Sequence, residues 1–505
     1  MEIGAELLTA LTEYRHEQTI TLDPAGRTVK LPATPLSSFG SKVFLERLGV
    51  KLPYVSGAMA NGIASADLVI AMSKANLLAF YGAAGQTLPT IKSAIQKIKE
   101  AAGGIFGVNL IHNPSEPHWE WQLVEHLIEA NIDIVEASAF MKLTPALVYY
   151  RCKGLRRDNS GRIVAKNRIM AKVSRRELAE KFLLPADNKI VADLVKDGLL
   201  TSEEQELANF LPLADFLTIE ADSGGHTDNR PALTLFPAMQ TLAERLQSGF
   251  GDETKTLLGL GGGIATPQAV ASAFSMGADY VLTGTINQSC VESGSSDLVR
   301  KMLAEVEQAD VVMAPAADMF EMGVEVQVIK KGTMFPMRAK KLFETYRKYQ
   351  GLEDIPETEK RFLENQVFRM TLNEVWQETQ NFFAERNPAI LVKAEQKPKI
   401  KMGLVFRWYL GLSSRWANEG KTDRQLDFQV WCGPSMGAFN SWAEDSVLAL
   451  PENRRVVVLA HQLYLTAFLL YRLRMVESQG YRLNKEAAAL NRPLSEEMIA
   501  TLLQG

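Results

Sequence analysis

The sequence predicts a parallel (β/α)8 TIM barrel with an inserted helical segment and a mainly helical C-terminal region. Three observations predict it. Eight short apolar runs recur between longer helical patterns, with no hairpin turns between them. Most of these runs end in small residues, glycine above all. The segments Gly259–Pro267 and Gly284-Thr285 follow the last two runs, where barrels recurrently bind phosphate. Strands alternating with helices pair in parallel, and in a barrel of eight such units the chemistry collects where strands end and loops begin.

The elements follow in order. Tyr54–Ser56 ends in Gly57-Ala58-Met59, and Leu77–Tyr81 ends in Gly-Ala-Ala-Gly. Ile105–Leu110 carries Asn109 near its end, Ile134–Ala137 leads into Ser-Ala-Phe, and Ile169–Val173 brings Lys172 to the mouth. Phe216–Glu220 opens into Ala-Asp-Ser-Gly224-Gly225-His226. Thr256–Leu260 runs into Gly261-Gly262-Gly263-Ile264, and Tyr280–Thr283 into Gly284-Thr285. Backbone bare of side chains at so many strand ends suits close approach to a flat ligand, although tight strand–helix packing also uses glycine.

Between the fifth and sixth strands lies an insertion of residues 174–215. It holds helical patterns over Asn188–Leu199 and Ser202–Leu211, the second opened by the capping box Thr201-Ser-Glu-Glu204. A lid or docking element and plain elaboration both remain open for it. The barrel pattern spans residues 1–335. Residues 336–505 read as helical, with patterns over Met337–Tyr349, Glu359–Arg386 and Arg454–Val476.

Composition narrows the function. With 46% apolar residues, a net charge of -4 and a pI near 6.0, the chain has no basic excess to suit nucleic acid or an anionic membrane. The apolar run between Arg455 and Arg472 falls short of the roughly 20 residues of a span and contains His461 and Gln462, so it predicts a buried helix. Three cysteines far apart in sequence predict neither a disulfide framework nor a zinc site. Together with a charged N-terminal stretch they predict a reduced, cytoplasmic protein.

The segment Gly259-Leu-Gly-Gly-Gly-Ile-Ala-Thr-Pro267 and the turn Gly284-Thr285 can both present backbone N–H groups at one spot. Loops after the seventh and eighth strands form a recurring phosphate site in barrels. The segment matches neither the dinucleotide nor the nucleoside-triphosphate fingerprint, so it predicts a smaller phosphorylated cofactor. Gly57, Ala58, Met59 and Asn109 suit an isoalloxazine ring and its amide edges. Lys172 would favour an anionic reduced flavin; the alternative is a lysine paired with Glu136 or Glu220. His226 follows two glycines at a strand end, so its ring can swing over the mouth and donate a hydrogen bond or a proton. No nucleophile elbow or metal-ligand cluster is visible.

Gly224-Gly225-His226, Gly262-Gly263-Ile264 and Gly284-Thr285 resemble the flavin-dependent nitronate monooxygenase (2-nitropropane dioxygenase-like) superfamily. The runs Glu220–Pro231, Val311–Ala339, Phe406–Ala417 and Val430–Trp442 resemble one subgroup of it: trans-acting enoyl reductases of polyketide synthases and the reductase subunit of polyunsaturated fatty acid synthases. The resemblance covers nearly the whole chain. It implies FMN held by the glycine turns, NADPH or NADH as a transient hydride donor, and an enoyl thioester carried on an acyl carrier protein. It leaves the choice between the two nicotinamide donors, the docking surface and a homodimer open. The competing readings are a nitronate-oxidising flavin monooxygenase with His226 as base, and a docking subunit without catalysis. Phe406, Trp408, Tyr409, Trp416, Phe428, Trp431, Phe439 and Trp442 are expected to form core. Arg407 and Arg415 suit either an acidic carrier or internal ion pairs.

Overall fold

The computed structural model describes residues 3–21, 28–112, 117–481, 488 and 490–504. The chain divides into two compact units. The first comprises residues 1–222, 228–294 and 438–505, and the second residues 223–227 and 295–437. The division does not fall at residue 335. Residues 295–335 group with the following helices, and residues 438–505 return to the barrel unit.

The first unit is built on a closed barrel of eight parallel strands: β1 (Tyr54–Ser56), β2 (Leu78–Tyr81), β3 (Gly107–Ile111), β4 (Ile134–Ser138), β5 (Arg168–Val173), β6 (Phe216–Glu220), β7 (Leu257–Gly261) and β8 (Tyr280–Thr283). β8 pairs with β1 to close it, Thr283 opposite Ser56. The strands read as near-continuous apolar runs because both of their faces are buried. Side chains fill the interior. The ring of Phe44, from helix Lys42–Leu48, stacks on Tyr280 with centroids 4.7 Å apart and meets Phe216 edge-on. The Tyr280 hydroxyl lies 2.8 Å from Thr218 Oγ1. A Cβ on Gly259 would lie 2.3 Å from the Tyr280 ring, so glycine makes room for the aromatic plug. A barrel packed in this way has no pore, and a ligand is left with its rim.

The insertion folds as helices Arg176–Leu183, Asn188–Lys196 and Ser202–Ala208. The expected capping box forms: Thr201 Oγ1 accepts from Glu204 N at 3.1 Å, and Glu204 accepts from Thr201 N at 2.7 Å. The last two of these helices pack on helix Pro145–Cys152 of the outer ring, and the first packs on helix Ala232–Leu246.

Helix Val456–Glu477 is 22 residues long, more than the apolar run suggested, and is apolar enough by length and composition to cross a membrane. Most of it is buried against helices Pro267–Ser275 and Ala66–Lys74. Near its end the buried Arg472 donates to the carbonyls of Leu11, Ala10, Glu13 and Pro32 at 2.9–3.3 Å. It thereby satisfies orphan acceptors at the end of helix Ile3–Thr12. Burial pushes this guanidinium down to about 10.

The second unit holds a three-stranded antiparallel sheet, in which Gly225–His226 pairs with Glu325–Ile329 and that strand with Val311–Pro315. Its helices include Phe335–Lys348, Leu372–Arg386 and Pro398–Glu419. The expected aromatic core forms in part. Phe406, Tyr409, Trp416 and Phe428 are buried here, Phe439 and Trp442 are buried in the first unit, and Trp408 and Trp431 are only half-buried. Arg407 lies 3.6 Å from Glu321, an internal pair. At the centre, the fully buried Asp427 carboxylate takes Arg338, Arg424 and Arg369 as ion-pair partners and the Tyr409 hydroxyl at 2.8 Å. Removing one member of such a cluster strands the rest without water. Asp427→Ala is expected to cost about 3–5 kcal/mol, read by urea unfolding, whereas a loss below 1 kcal/mol would show the cluster to be solvated.

Candidate active site

The rim at the C-terminal ends of the strands is polar and tightly organised. After β1, Gly57 N donates to Thr283 O at 2.9 Å and Ala58 N donates to Glu136 Oε2 at 3.1 Å. Met59 lies in the turn that follows, its carbonyl accepting from Ala64 N. A Cβ on Gly82 would lie 1.8 Å from that carbonyl oxygen, so β2 must end in glycine. Asn109, buried on β3, donates through Nδ2 to Glu136 O and Ser138 Oγ at 3.1 and 3.2 Å. Between β8 and β1 the buried Asn287 ties Ser56 Oγ, Thr283 O and Thr283 Oγ1 together.

Lys172 on β5 makes the pairing that its position allowed. Its Nζ lies 3.1 Å from Glu220 Oε1 at the end of β6. Burial pulls the ammonium down, but the Glu220 and Glu136 carboxylates more than restore it, and the lysine stays above its ordinary value. Glu136 is wholly buried. Burial pushes it up to about 7, with Lys172 pulling the other way. Its Oε1 has no hydrogen-bond partner among the described residues. The fold thus binds a proton here more readily than the unfolded chain. That stabilising contribution is full below about pH 4.5 and is lost as the pH rises through about 7. Wild type is expected to lose a few kcal/mol between about pH 5 and pH 8 that Glu136→Gln retains. Urea unfolding at the two pH values checks this, and parallel losses in both proteins would contradict it.

β7 and β8 deliver the glycine turns side by side. Their register sets Gly261 opposite Leu282, so Gly263 and Gly284, each two residues further on, leave neighbouring strands at one level. Gly262 and Gly263 sit at φ +80° and +75°. A Cβ on Gly262 would lie 2.5 Å from Ala221 O, while one on Gly263 or Gly284 would meet nothing within 4 Å. The N–H groups of Gly262, Gly263 and Ile264 find no acceptor among the described residues. Unpaired amides on successive left-handed glycines form an anion-binding concavity. Beyond them Thr266 caps helix Pro267–Ser275. After β8, Thr285 opens the single turn Thr285–Gln288. Open space, unpaired amides and a buried polar rim fit a phosphorylated flavin.

Of the residues anticipated from the sequence, Gly57, Ala58, Met59, Asn109, Lys172, Gly261, Gly262, Gly263, Ile264, Gly284 and Thr285 therefore all belong to this rim and the turns leaving it. Gly225 and His226 do not belong to the barrel unit. The chain leaves that unit after Asp222 and returns at Asp228. Within the second unit a Cβ on Gly224 would lie within 2.9 Å of the Cys432 backbone, and Gly225 takes φ +78°. Gln327 Nε2 donates to Ser223 O at 2.8 Å. These constraints fix the strand that carries His226, whose Nε2 lies 3.2 Å from Asp318 Oδ1. The imidazole is 40% exposed. Sequence reasoning did not single out Asp318, although it stands in the run Val311–Ala339. Nor did it single out Ser56, Thr283 and Asn287.

Barrel, glycine turns and rim together define a class, and the chain belongs to the nitronate monooxygenase family, whose profile matches residues 43–345. A second profile, the inserted helical domain of acyl-carrier-protein S-malonyltransferase, matches residues 349–428. The chain is similar to a polyunsaturated fatty acid synthase subunit of Thraustochytrium sp., with 48% identity over 83% of this chain and 28% of that protein. It is 40% identical to the polyketide biosynthesis protein PksE of Bacillus subtilis, over 86% of this chain and 57% of that one. It thus spans only about a quarter to just over half of these two relatives. Among solved structures it superposes on the enoyl reductase domain of MlnA, from the macrolactin cluster of Bacillus amyloliquefaciens. There the TM-score is 0.83 and the identity 38%, over 87% of this chain and 99% of that one.

Proposed function

We propose that this protein is an FMN-dependent enoyl reductase that uses NADPH or NADH to saturate the α,β-double bond of enoyl thioesters carried on an acyl carrier protein, in polyketide or polyunsaturated fatty acid synthesis. The observation that carries the reading is the similarity to the MlnA enoyl reductase domain along almost all of that domain. The match of residues 349–428 to a helical domain of a carrier-protein acyltransferase supports the carrier.

When bound, the flavin supplies two-electron transfer from the nicotinamide to the β-carbon of the substrate. The protein's part is to hold and to protonate. The amides of Gly262, Gly263 and Ile264, with the turn Gly284-Thr285, hold the phosphate. The Gly57–Met59 turn and Asn109 border the ring. Lys172, fixed by Glu220, sets the charge beside it. His226 donates a hydrogen bond to the thioester oxygen as negative charge develops there, or a proton to the α-carbon. Asp318 orients its ring.

The absorbance spectrum of the purified protein tests the reading. A flavin spectrum that NADPH bleaches anaerobically and a crotonyl thioester restores is expected. A colourless protein unable to take up FMN would contradict it and leave the docking-subunit reading. The family profile favours one other reading, oxidation of alkyl nitronates. Restoration of colour by oxygen and turnover of an alkyl nitronate, without turnover of the thioester, would select it.

A further inference from the structure

Outside the flavin rim, the barrel unit has a cavity of about 470 Å³, within the range of small-ligand sites. It opens beside the ends of β5 and β6: Ser174 stands two residues beyond Lys172, and Asp228 eight beyond Glu220. Its walls differ in character. Leu235 and Met239, on helix Ala232–Leu246, give one apolar side. Arg175, Arg176 and Arg230 give a basic one, with Glu177 and Asp228 also on the lining.

The charges are unequally committed. Asp228 is taken up internally, accepting from Ser174 Oγ at 2.6 Å and from Arg175 Nε and Nη2 at 3.0 and 2.9 Å. Those bonds from Arg175, with Ser174, hold its carboxyl below the usual range. Arg176 pairs with Glu180 at 3.2 Å. The Arg230 guanidinium makes no hydrogen bond or ion pair among the described residues, and neither does the Glu177 carboxylate, so Arg230 is the lining's uncommitted cation, drawn only at longer range to Asp228. A guanidinium fork is the side chain best matched to a phosphate, and an apolar wall beside it accommodates the organic body the phosphate is attached to.

We propose that this cavity is a second ligand site, for a phosphate monoester on an organic body, with Arg230 as its primary contact and Arg175 held beside it by Asp228. Naming the sources rests on the enoyl reductase reading. They are the adenosine 2′-phosphate end of the nicotinamide donor, where an arginine commonly selects the phosphorylated dinucleotide, and the phosphopantetheine arm of the thioester.

Calorimetry on the purified protein tests the site directly, pairing 2′-AMP against adenosine and 4′-phosphopantetheine against pantetheine. One phosphate ester is expected to bind at least about tenfold more tightly than its parent. Arg230→Ala, an exposed position where folding is not at stake, should abolish that advantage, and Arg230→Lys should keep part of it. If 2′-AMP is the preferred ester, Arg230→Ala should raise KM for NADPH and leave KM for NADH unchanged. If it is 4′-phosphopantetheine, KM for the thioester should rise instead. The proposal is overturned if neither ester outbinds its parent, or if the advantage survives Arg230→Ala. Flavin content and bleaching of the wild type report on the enoyl reductase reading separately, so the two can fail independently.

Discussion

Replacing His226 with alanine is expected to leave flavin content and NADPH oxidation under oxygen unchanged while slowing enoyl-thioester reduction about 100- to 10,000-fold, the usual contribution of a positioned acid or base. The turns proposed to hold the cofactor leave the barrel strands, whereas His226 lies on a strand of the second unit. The substitution leaves the amides of those turns in place. Anaerobic single-turnover absorbance resolves the two half-reactions, and only the second should slow. Asp318→Asn should give a smaller loss, because it leaves the imidazole in place and removes only its carboxylate partner. Equal rates in wild type and His226→Ala would remove the histidine from the mechanism.

The second large effect is expected at Gly263. An alanine methyl there would meet no protein atom within 4 Å and would intrude on the space proposed for the phosphate, while the φ of +75° also strains any residue other than glycine. Gly263→Ala should lose roughly 1–3 kcal/mol of FMN binding, about fivefold to 150-fold. Gly262→Ala differs, since its methyl would strike the Ala221 carbonyl and deform the turn itself. Quenching of FMN fluorescence on titration measures both. Undiminished binding by Gly263→Ala would mean that the phosphate lies elsewhere.

Much of the barrel was legible because its strands are short, apolar on both faces and closed by glycine, a pattern set by local chemistry. The capping box of the insertion was legible for the same reason: both partners lie within four residues. The glycine turns could be assigned to one site because adjacent barrel strands must end together. The division of the chain was not legible. Helix Val456–Glu477 is apolar around its whole circumference, so no periodic face points to its partner Pro267–Ser275, almost 200 residues earlier. Arg472 looks like an ordinary helix-end charge until Leu11 and Ala10 are brought beneath it. Lys172 was recognised as a rim cation, but only the register of β5 against β6 decides that it answers Glu220. The placement of His226 in the second unit depends on its pairing with Glu325–Ile329, about a hundred residues later, which no local signal encodes.

The central claim is that amides beyond β7 and β8 bind the phosphate of a flavin, and comparing FMN with riboflavin tests it most directly, because the two differ by that phosphate alone. Titration of the apoprotein should show FMN binding at least about a hundredfold more tightly, as two or more charge-assisted hydrogen bonds require. Gly263→Ala should narrow the gap. Equal affinities for FMN and riboflavin would contradict the account.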